Sequence, residues 1–313
     1  MHAAEVVSGA TEAPPRATTC IWCGAPLGEG TEHRGRLSFC AACGAGMTDP
    51  PPGPEELAEA YGDWYRPAGG EQRFSFAGDA ILGRTRGLLA ARINVIAPEG
   101  PVLDVGAGDG TLVDALRAQG RETVGLERNP LRPDFREESL DELEGDGTYA
   151  AVVFWHALEH VPEPGDAITQ AARLLKPGGI VAIAVPNSGS LQAEVFGLRW
   201  LHLDLPRHLV HLSTKSLAAG LTERGFVIQR TSQMRGGQIV IGWLQGLVGA
   251  LPGHPDLYQA LRRSHARSAS QSTLKRWATV AAGIALLPVA ALAAVAEIII
   301  GRGGTVYMEA RLD

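Results

Sequence analysis

The chain has 313 residues, 45% of them hydrophobic and 20% charged, an ordinary globular composition with enough apolar material to bury a core. Its net charge of −6 excludes a chain-wide basic footprint for nucleic acid. All four cysteines fall between Cys20 and Cys43, which excludes a disulfide-rich secreted scaffold.

Residues 1–17 read as a disordered leader. Glu5, Glu12, Pro14 and Pro15 interrupt the opening residues and no apolar run is present, so no secretory signal is expected. Cys20-Ile-Trp-Cys23-Gly24 and Cys40-Ala-Ala-Cys43-Gly44 are two C-x-x-C-G units with 16 residues between them. Four thiolates at this spacing suit tetrahedral zinc, and a closed four-cysteine shell makes the ion structural rather than catalytic. The expectation is a zinc ribbon over 18–49 in a reducing, cytoplasmic compartment. Its cations Arg34 and Arg36 are offset by Glu29 and Glu32, which favours an interface or substrate-covering role over nucleic-acid binding.

Asp49-Pro50-Pro51-Pro52-Gly53-Pro54 is a stiff linker. Within 50–97, helices are predicted over Glu55–Tyr65 and Ala80–Ile96 from apolar residues at helical spacing. A core unit over 98–235 then alternates: strand Val102–Val105, helix Thr111–Ala118, strand Thr123–Leu126, strand Ala151–Trp155, helix Ala167–Leu175, strand Ile180–Val185, helix Ser213–Arg224, strand Phe226–Gln233. This order predicts an α/β fold with a mostly parallel sheet covered by helices on both faces. Residues 236–303 read as a helical insertion, and 304–313, with strand Thr305–Arg311, as the return of the chain to the sheet.

Leu103-Asp104-Val105-Gly106-Ala107-Gly108-Asp109-Gly110 stands at a strand end and opens a helix. Glycines there let a ligand approach the backbone, and the helix N-terminus offers free N–H groups. Glu127, at the end of the next strand, can accept hydrogen bonds from both ribose hydroxyls of an adenosine ligand. The dinucleotide fingerprint requires a third glycine where this chain has Thr111.

The segment resembles motif I of the class I S-adenosylmethionine-dependent methyltransferases, of the small-molecule, UbiG-like type. Tyr149 to Trp155 followed by His156-Ala-Leu-Glu159-His160-Val161 is similar to that family's fourth strand and its extension, and Leu174-Leu-Lys-Pro-Gly-Gly179 to the turn entering the fifth. The resemblance implies a Rossmann-like seven-stranded sheet with an antiparallel last strand. It implies that Asp104, Gly106, Gly108 and Asp109 line the methionine part of S-adenosylmethionine and Glu127 the ribose. Ser139 and Leu140, after a short third strand, would flank the adenine, with Trp155 and His156 beside the sulfonium. Arg73 and Tyr65 are candidates for the cofactor carboxylate.

Five of the nine histidines lie between positions 156 and 211. His202, Asp204, His208 and His211 follow the fifth strand, where imidazoles could bind metal or move protons. Without a partner cluster elsewhere, proton work is favoured. His208-Leu-Val-His211-Leu-Ser213 resembles the H-x-x-Y-F-S pattern of zinc-containing sugar C-methyltransferases, which implies His208 as general base with His211 in place of their tyrosine. His160 reads as a structural hydrogen-bonding residue.

Trp277 to Ala296 carries no charge and is preceded by Arg262, Arg263, Arg267, Lys275 and Arg276. Twenty uncharged residues reach the minimum for a membrane span. Gly283, Pro288 and the strand that follows favour instead a bent helix or helical pair packed on the core, an apolar lid over a greasy acceptor. The basic stretch adds reversible membrane-surface contact through 262–300, peripheral to the cytoplasmic compartment. The expected activity is methyl transfer to an oxygen or carbon of a small-molecule acceptor. A membrane-associated lipid or quinone O-methyltransferase is the alternative. A nucleic-acid-binding regulator with a cofactor-sensing domain is disfavoured by the acidic charge. No oligomeric state follows from the sequence.

Overall fold

The computed structural model describes residues 15–62, 76–234, 236–262 and 272–313. Arg73 and Tyr65, named above, and Arg263 and Arg267 lie outside them.

The first unit is a three-stranded antiparallel meander, β1 (Glu32–Arg34), β2 (Leu37–Phe39) and β3 (Gly46–Thr48). Helices α1 (Pro54–Ala60) and α2 (Phe76–Ile96) follow; Pro54 opens α1 at a position where no N–H is needed. The alternating part then gives β4 (Val102–Val105), α3 (Thr111–Ala118), β5 (Thr123–Leu126), β6 (Tyr149–Trp155), α4 (Pro164–Leu174) and β7 (Leu175–Pro186). Next come α5 (Leu191–Phe196), β8 (Val210–His211), α6 (Thr214–Glu223) and β9 (Phe226–Ser232). A helical excursion, α7 (Gly236–Gly249), α8 (Leu257–Leu261) and α9 (Thr273–Ile300), precedes β10 (Thr305–Leu312).

The main sheet has the order β5-β4-β6-β7-β10-β9. The first four strands are parallel, and β10 lies antiparallel between β7 and β9, as the family resemblance implies. Among the described residues, the expected short third strand is a single parallel bridge, Leu126 with Arg136. Lys176 to Gly179, expected as a turn, is an irregular start to β7: the pairing jumps from Tyr149–Leu175 to Ala151–Ile180.

Side-chain alternation assigns the two faces. Val152, Phe154, Val181 and Ile183 face α4, α6 and the N-terminal unit. Ala151, Val153, Ala182 and Ala184 face α2 and α3. Continuous apolar runs in β6 and β7 are therefore the signature of strands covered on both sides.

The cysteine unit is not an appendage. β3 pairs antiparallel with β8, Gly46 opposite His211 and Met47 opposite Val210, so the core adds a fourth strand to the ribbon's sheet. Trp22 is 1% exposed and belongs to the same apolar cluster as Leu217 and Leu221 of α6. Its indole Nε1–H donates to Ser216 O at 2.9 Å, and a Cβ on Gly220 would overlap its ring. Arg224 covers the ring 5.2 Å from its centroid and donates to Trp22 O. Burial of an indole this complete contributes several kcal/mol. Trp22→Ala is expected to lower unfolding free energy by about 3–5 kcal/mol, read from urea denaturation; a change within about 0.5 kcal/mol would refute the interlock.

Candidate functional site

The site forms at the carboxyl ends of β4, β5 and β6, where open parallel sheets bind ligands. Gly106 N and Ala107 N both donate to Leu126 O at 2.9 Å, which draws the loop after β4 onto the end of β5. Gly106 has φ +72, and a Cβ there would stand 2.6 Å from Ala157 Cβ. Only glycine satisfies both constraints. Gly108 N donates to Glu127 Oε2 at 2.8 Å, so the loop orients the ribose-binding candidate. Asp109 Oδ1 accepts from Thr111 N and Oγ1 at 3.0 and 2.7 Å, and so fastens the start of α3.

A cleft of about 700 Å³ opens from this point, within the usual range for small-ligand sites. Gly106, Glu127, Ser139, Leu140 and His156 all line it. Asp104, Gly108, Asp109 and Trp155 are not in its wall. Strand parity puts Asp104 with Val102 on the α2 face, where it is 2% exposed. Burial pushes its carboxyl up to about 7, with Glu127 and Asp109 adding to the rise and Arg86 opposing it.

Arg86 was not among the candidates from the sequence. Its guanidinium lies 4.5 Å from the centroid of the Trp155 ring; burial opposes its charge, while Asp104 and Asp109 support it. A signal was present: positions 86, 90 and 93 share one face of α2, and Ala90 and Ile93 are buried there. A lone cation on an apolar helix face marks a partner across the interface.

The histidines separate into two groups. His156 follows β6 in the left-handed region, φ +52, and lines the cleft. Its Nδ1–H donates to Glu159 Oε1 at 3.3 Å, which leaves Nε2 as an acceptor; that atom is buried without a hydrogen-bond partner among the described residues. His160 also lines the cleft, with Nδ1 3.0 Å from both Tyr61 Oη and Arg207 O. By contrast, His208 and His211 are absent from the cleft wall. They are 7% and 5% exposed, on and beside β8 at the junction with the ribbon. His208 Nδ1–H donates to His202 O at 2.9 Å, and His211 Nε2 lies 3.2 Å from Thr48 Oγ1. This corrects the placement the sequence suggested: the long-range pairing of β8 with β3 takes both rings into the interior. His208 remains coupled to the site through His160, whose ring is 4.7 Å away, and one ligand atom each from Glu159, His160 and His208 lies within 4.8 Å of the others.

The four cysteine sulfurs also converge within 4.8 Å. Cys20 Sγ lies 3.7 Å from Cys43 Sγ and Cys23 Sγ 3.8 Å from Cys40 Sγ. Zn–S bonds of about 2.3 Å in a tetrahedron require S···S separations near ~3.8 Å, so the cradle has the dimensions of a zinc site. The knuckles repeat one geometry: Gly24 N donates to Cys20 O and Gly44 N to Cys40 O, both at 2.8 Å, with φ +74 and +72 at the two glycines.

The buried titratable groups set opposing pH dependences. Burial lowers His202 and His211 to about 4, and His208 well below its usual value. The unfolded chain therefore binds more protons than the folded one between about 4 and 6.5, and stability falls as pH falls through that window. Asp104 has the opposite sign: its raised value favours the folded state at low pH, a contribution lost as pH rises towards 7. Urea midpoints are expected to drop from pH 6.5 to pH 5, and Asp104→Asn to make that drop steeper; an unchanged or shallower drop in the variant would contradict the assignment.

Residues 81–231 match the family described as "Methyltransferase domain". A "Ubiquinone biosynthesis O-methyltransferase" of Xanthomonas campestris pv. campestris is 30% identical over 168 residues, covering 47% of this chain and 70% of that protein. A protein of the same description from Dechloromonas aromatica is 34% identical over 124 residues, 34% of this chain and 53% of that one. Among solved structures, a putative sarcosine dimethylglycine methyltransferase from Galdieria sulphuraria aligns with a TM-score of 0.48 at 18% identity, covering 78% of this chain and 95% of that one. The glycine loop, its acidic partner and the parallel strands β4 to β7 thus fall inside the matched region, and the chain belongs to the S-adenosylmethionine-dependent methyltransferases.

Proposed function

We propose that the cleft binds S-adenosylmethionine and directs its methyl group to an oxygen of a small-molecule acceptor, with His156 as general base. The observation that carries this reading is the hydrogen bond from Gly108 N to Glu127 Oε2, which holds an acidic side chain at the cleft wall beside the glycine loop. Glu127 takes the ribose hydroxyls, and Leu126, Ser139 and Leu140 enclose the adenine. Arg86, Asp104 and Asp109 stand outside the cleft wall and form a charge group behind it rather than contacts to the ligand.

The bound cofactor supplies a carbon already activated by positive sulfur. The acceptor oxygen forms its bond to that carbon as the carbon–sulfur bond breaks with its electron pair left on sulfur. The acceptor proton passes to His156 Nε2, which the Nδ1–H donation to Glu159 keeps basic and oriented. Glu159 is a positioning residue. The relatives named for O-methylation in ubiquinone biosynthesis support oxygen over carbon and a phenolic or quinonoid acceptor. His208, the base suggested by the sequence, is replaced in this role because it does not line the cleft.

Zinc is proposed at Cys20, Cys23, Cys40 and Cys43, supported by the sulfur separations. A site of four thiolates supports a reducing, cytoplasmic location. The ion's role is to hold the knuckles that carry Trp22 into α6.

Calorimetry with S-adenosylhomocysteine is expected to show one site per chain, weakened about tenfold or more in Glu127→Ala. Absence of binding to the wild-type protein would end the cofactor reading. With a panel of catechols as acceptors, His156→Gln is expected to cut kcat about 10²-fold or more with product affinity kept. Wild-type turnover in that variant would remove His156 as base. Elemental analysis should find one zinc per chain, and Cys40→Ser should lower both zinc content and melting temperature. A fully folded, metal-free protein of unchanged stability would refute the structural ion.

A further inference from the structure

We infer that the α7–α9 excursion is a monotopic membrane anchor: a helical hairpin whose outer, apolar face lies in one leaflet of an anionic bilayer. The inference stands apart from the proposed reaction and rests on the surface of α9. That helix has its amphipathicity reversed. The face towards the protein carries Thr279, Gly283, Ala290, Ala294 and Glu297, all buried. Its opposite face carries Trp277, Ile284, Leu292, Val295 and Ile299, at 61%, 70%, 72%, 54% and 79% exposure. A helix on a water-soluble domain buries the large apolar residues and exposes the small or polar ones. Small residues at the helix contact with large apolar residues outside is the arrangement made where the surroundings are lipid.

The ends of the run identify the occupant. The uncharged stretch from Trp277 to Ala296 spans about 30 Å of helix. Lys275, exposed, precedes it next to Trp277, while Arg276 is turned to the protein, its Nε donating to Ala260 O at 2.9 Å. An exposed cation beside an indole is the sequence found at the headgroup boundary, where the cation meets lipid phosphates and the ring sits at the interface. A second copy of this chain would offer α9 the same cation and gains no such complementarity. Arg262, one of the basic residues noted in the sequence, is 1% exposed and is not part of this surface.

Topology excludes a single crossing. The excursion leaves the sheet after Gln233 and returns at Gly303, and Gly303 N donates to Gln233 Oε1 at 2.7 Å; entry and exit are one point. The lower end of α9 is fixed to the domain: Glu297 Oε2 accepts from Gln192 Nε2 at 2.8 Å and Trp243 Nε1 at 2.6 Å. Eight residues after Glu297 the chain is in β10, inside the sheet. Passage of α9 through the bilayer would break these bonds and strip it from α7. Lying along the interface requires no rearrangement.

The test is flotation of the full chain with vesicles of phosphatidylcholine containing about one-third phosphatidylglycerol, using wild type and the triple variant Ile284→Asp, Leu292→Asp, Ile299→Asp. All three positions are exposed, so the variant should fold; retained S-adenosylhomocysteine affinity, or retained melting temperature if neither protein binds that compound, checks this. The wild type is expected to float and the variant to lose about tenfold or more in partitioning. Trp277 emission should shift to the blue on vesicle addition, a shift absent in Trp277→Phe. The proposal is overturned if the wild type stays with the pellet, or if the folded variant floats equally well. It is also overturned if sedimentation equilibrium finds a dimer that the three aspartates dissociate while vesicles bind neither form.

Discussion

The cleft depends on the close approach of three strand ends, and that approach depends on Gly106 having no side chain. Two backbone N–H groups, those of Gly106 and Ala107, share Leu126 O at the end of β5. On the other side the Gly106 Cα faces Ala157 after β6. Neither β5 nor β6 could come so near a substituted residue. Once the loop is seated, the backbone N–H of Gly108 donates to Glu127, the carboxylate proposed for a ribose. Orientation by backbone costs little further conformational entropy, because the loop is already fixed by the strand it leaves.

A second constraint explains the fate of the histidines. The ribbon presents β3 as an edge strand, and an uncovered edge is a liability. The core covers it with β8, two residues long, one of which is His211. The neighbouring His208 is drawn in with it, its carbonyl accepting from Thr48 Oγ1 at 2.6 Å. Rings in so dry a place stay neutral, and their hydrogen bonds go to backbone and hydroxyl groups. Their contribution is to the joint between the cysteine unit and the sheet, the joint that Trp22 completes by occupying the space above Gly220. The ribbon's near-zero surplus of cations is consistent with a face committed to protein rather than to nucleic acid.

These particulars show where sequence reasoning reaches and where it stops. Buried parallel strands were legible because β6 and β7 are apolar on both faces, and the glycine loop because its requirement is local. Arg86 was legible in principle, since its spacing from Ala90 and Ile93 put a charge on an apolar face. His208 was misplaced because its environment is set by a strand pairing across some 160 residues, and no local pattern reports that. Pro177, Gly178 and Gly179 are turn residues by local preference, yet the sheet absorbs them as an irregularity at the start of β7, because tertiary pairing overrides that preference. For the edge next to β5, one bridge replaces a strand.

The hairpin and the cleft are not independent parts. Trp243 of α7 contacts Phe196 at 5.3 Å between ring centroids, and Phe196 joins the cluster of Trp200, Leu203 and Leu37. Trp200 in turn meets His202 at 5.6 Å, and His202 lies close enough to His156 for the charge of one to depress the other's proton affinity. Packed side chains thus lead from the foot of the hairpin to Trp200 and His202. Close-packed side chains transmit displacement because there is no void to absorb it. The same contiguity explains why Glu297, the one acidic residue of α9, is spent on Gln192 and Trp243: it fixes the hairpin's foot, and with it the position of Phe196 and the rings beyond.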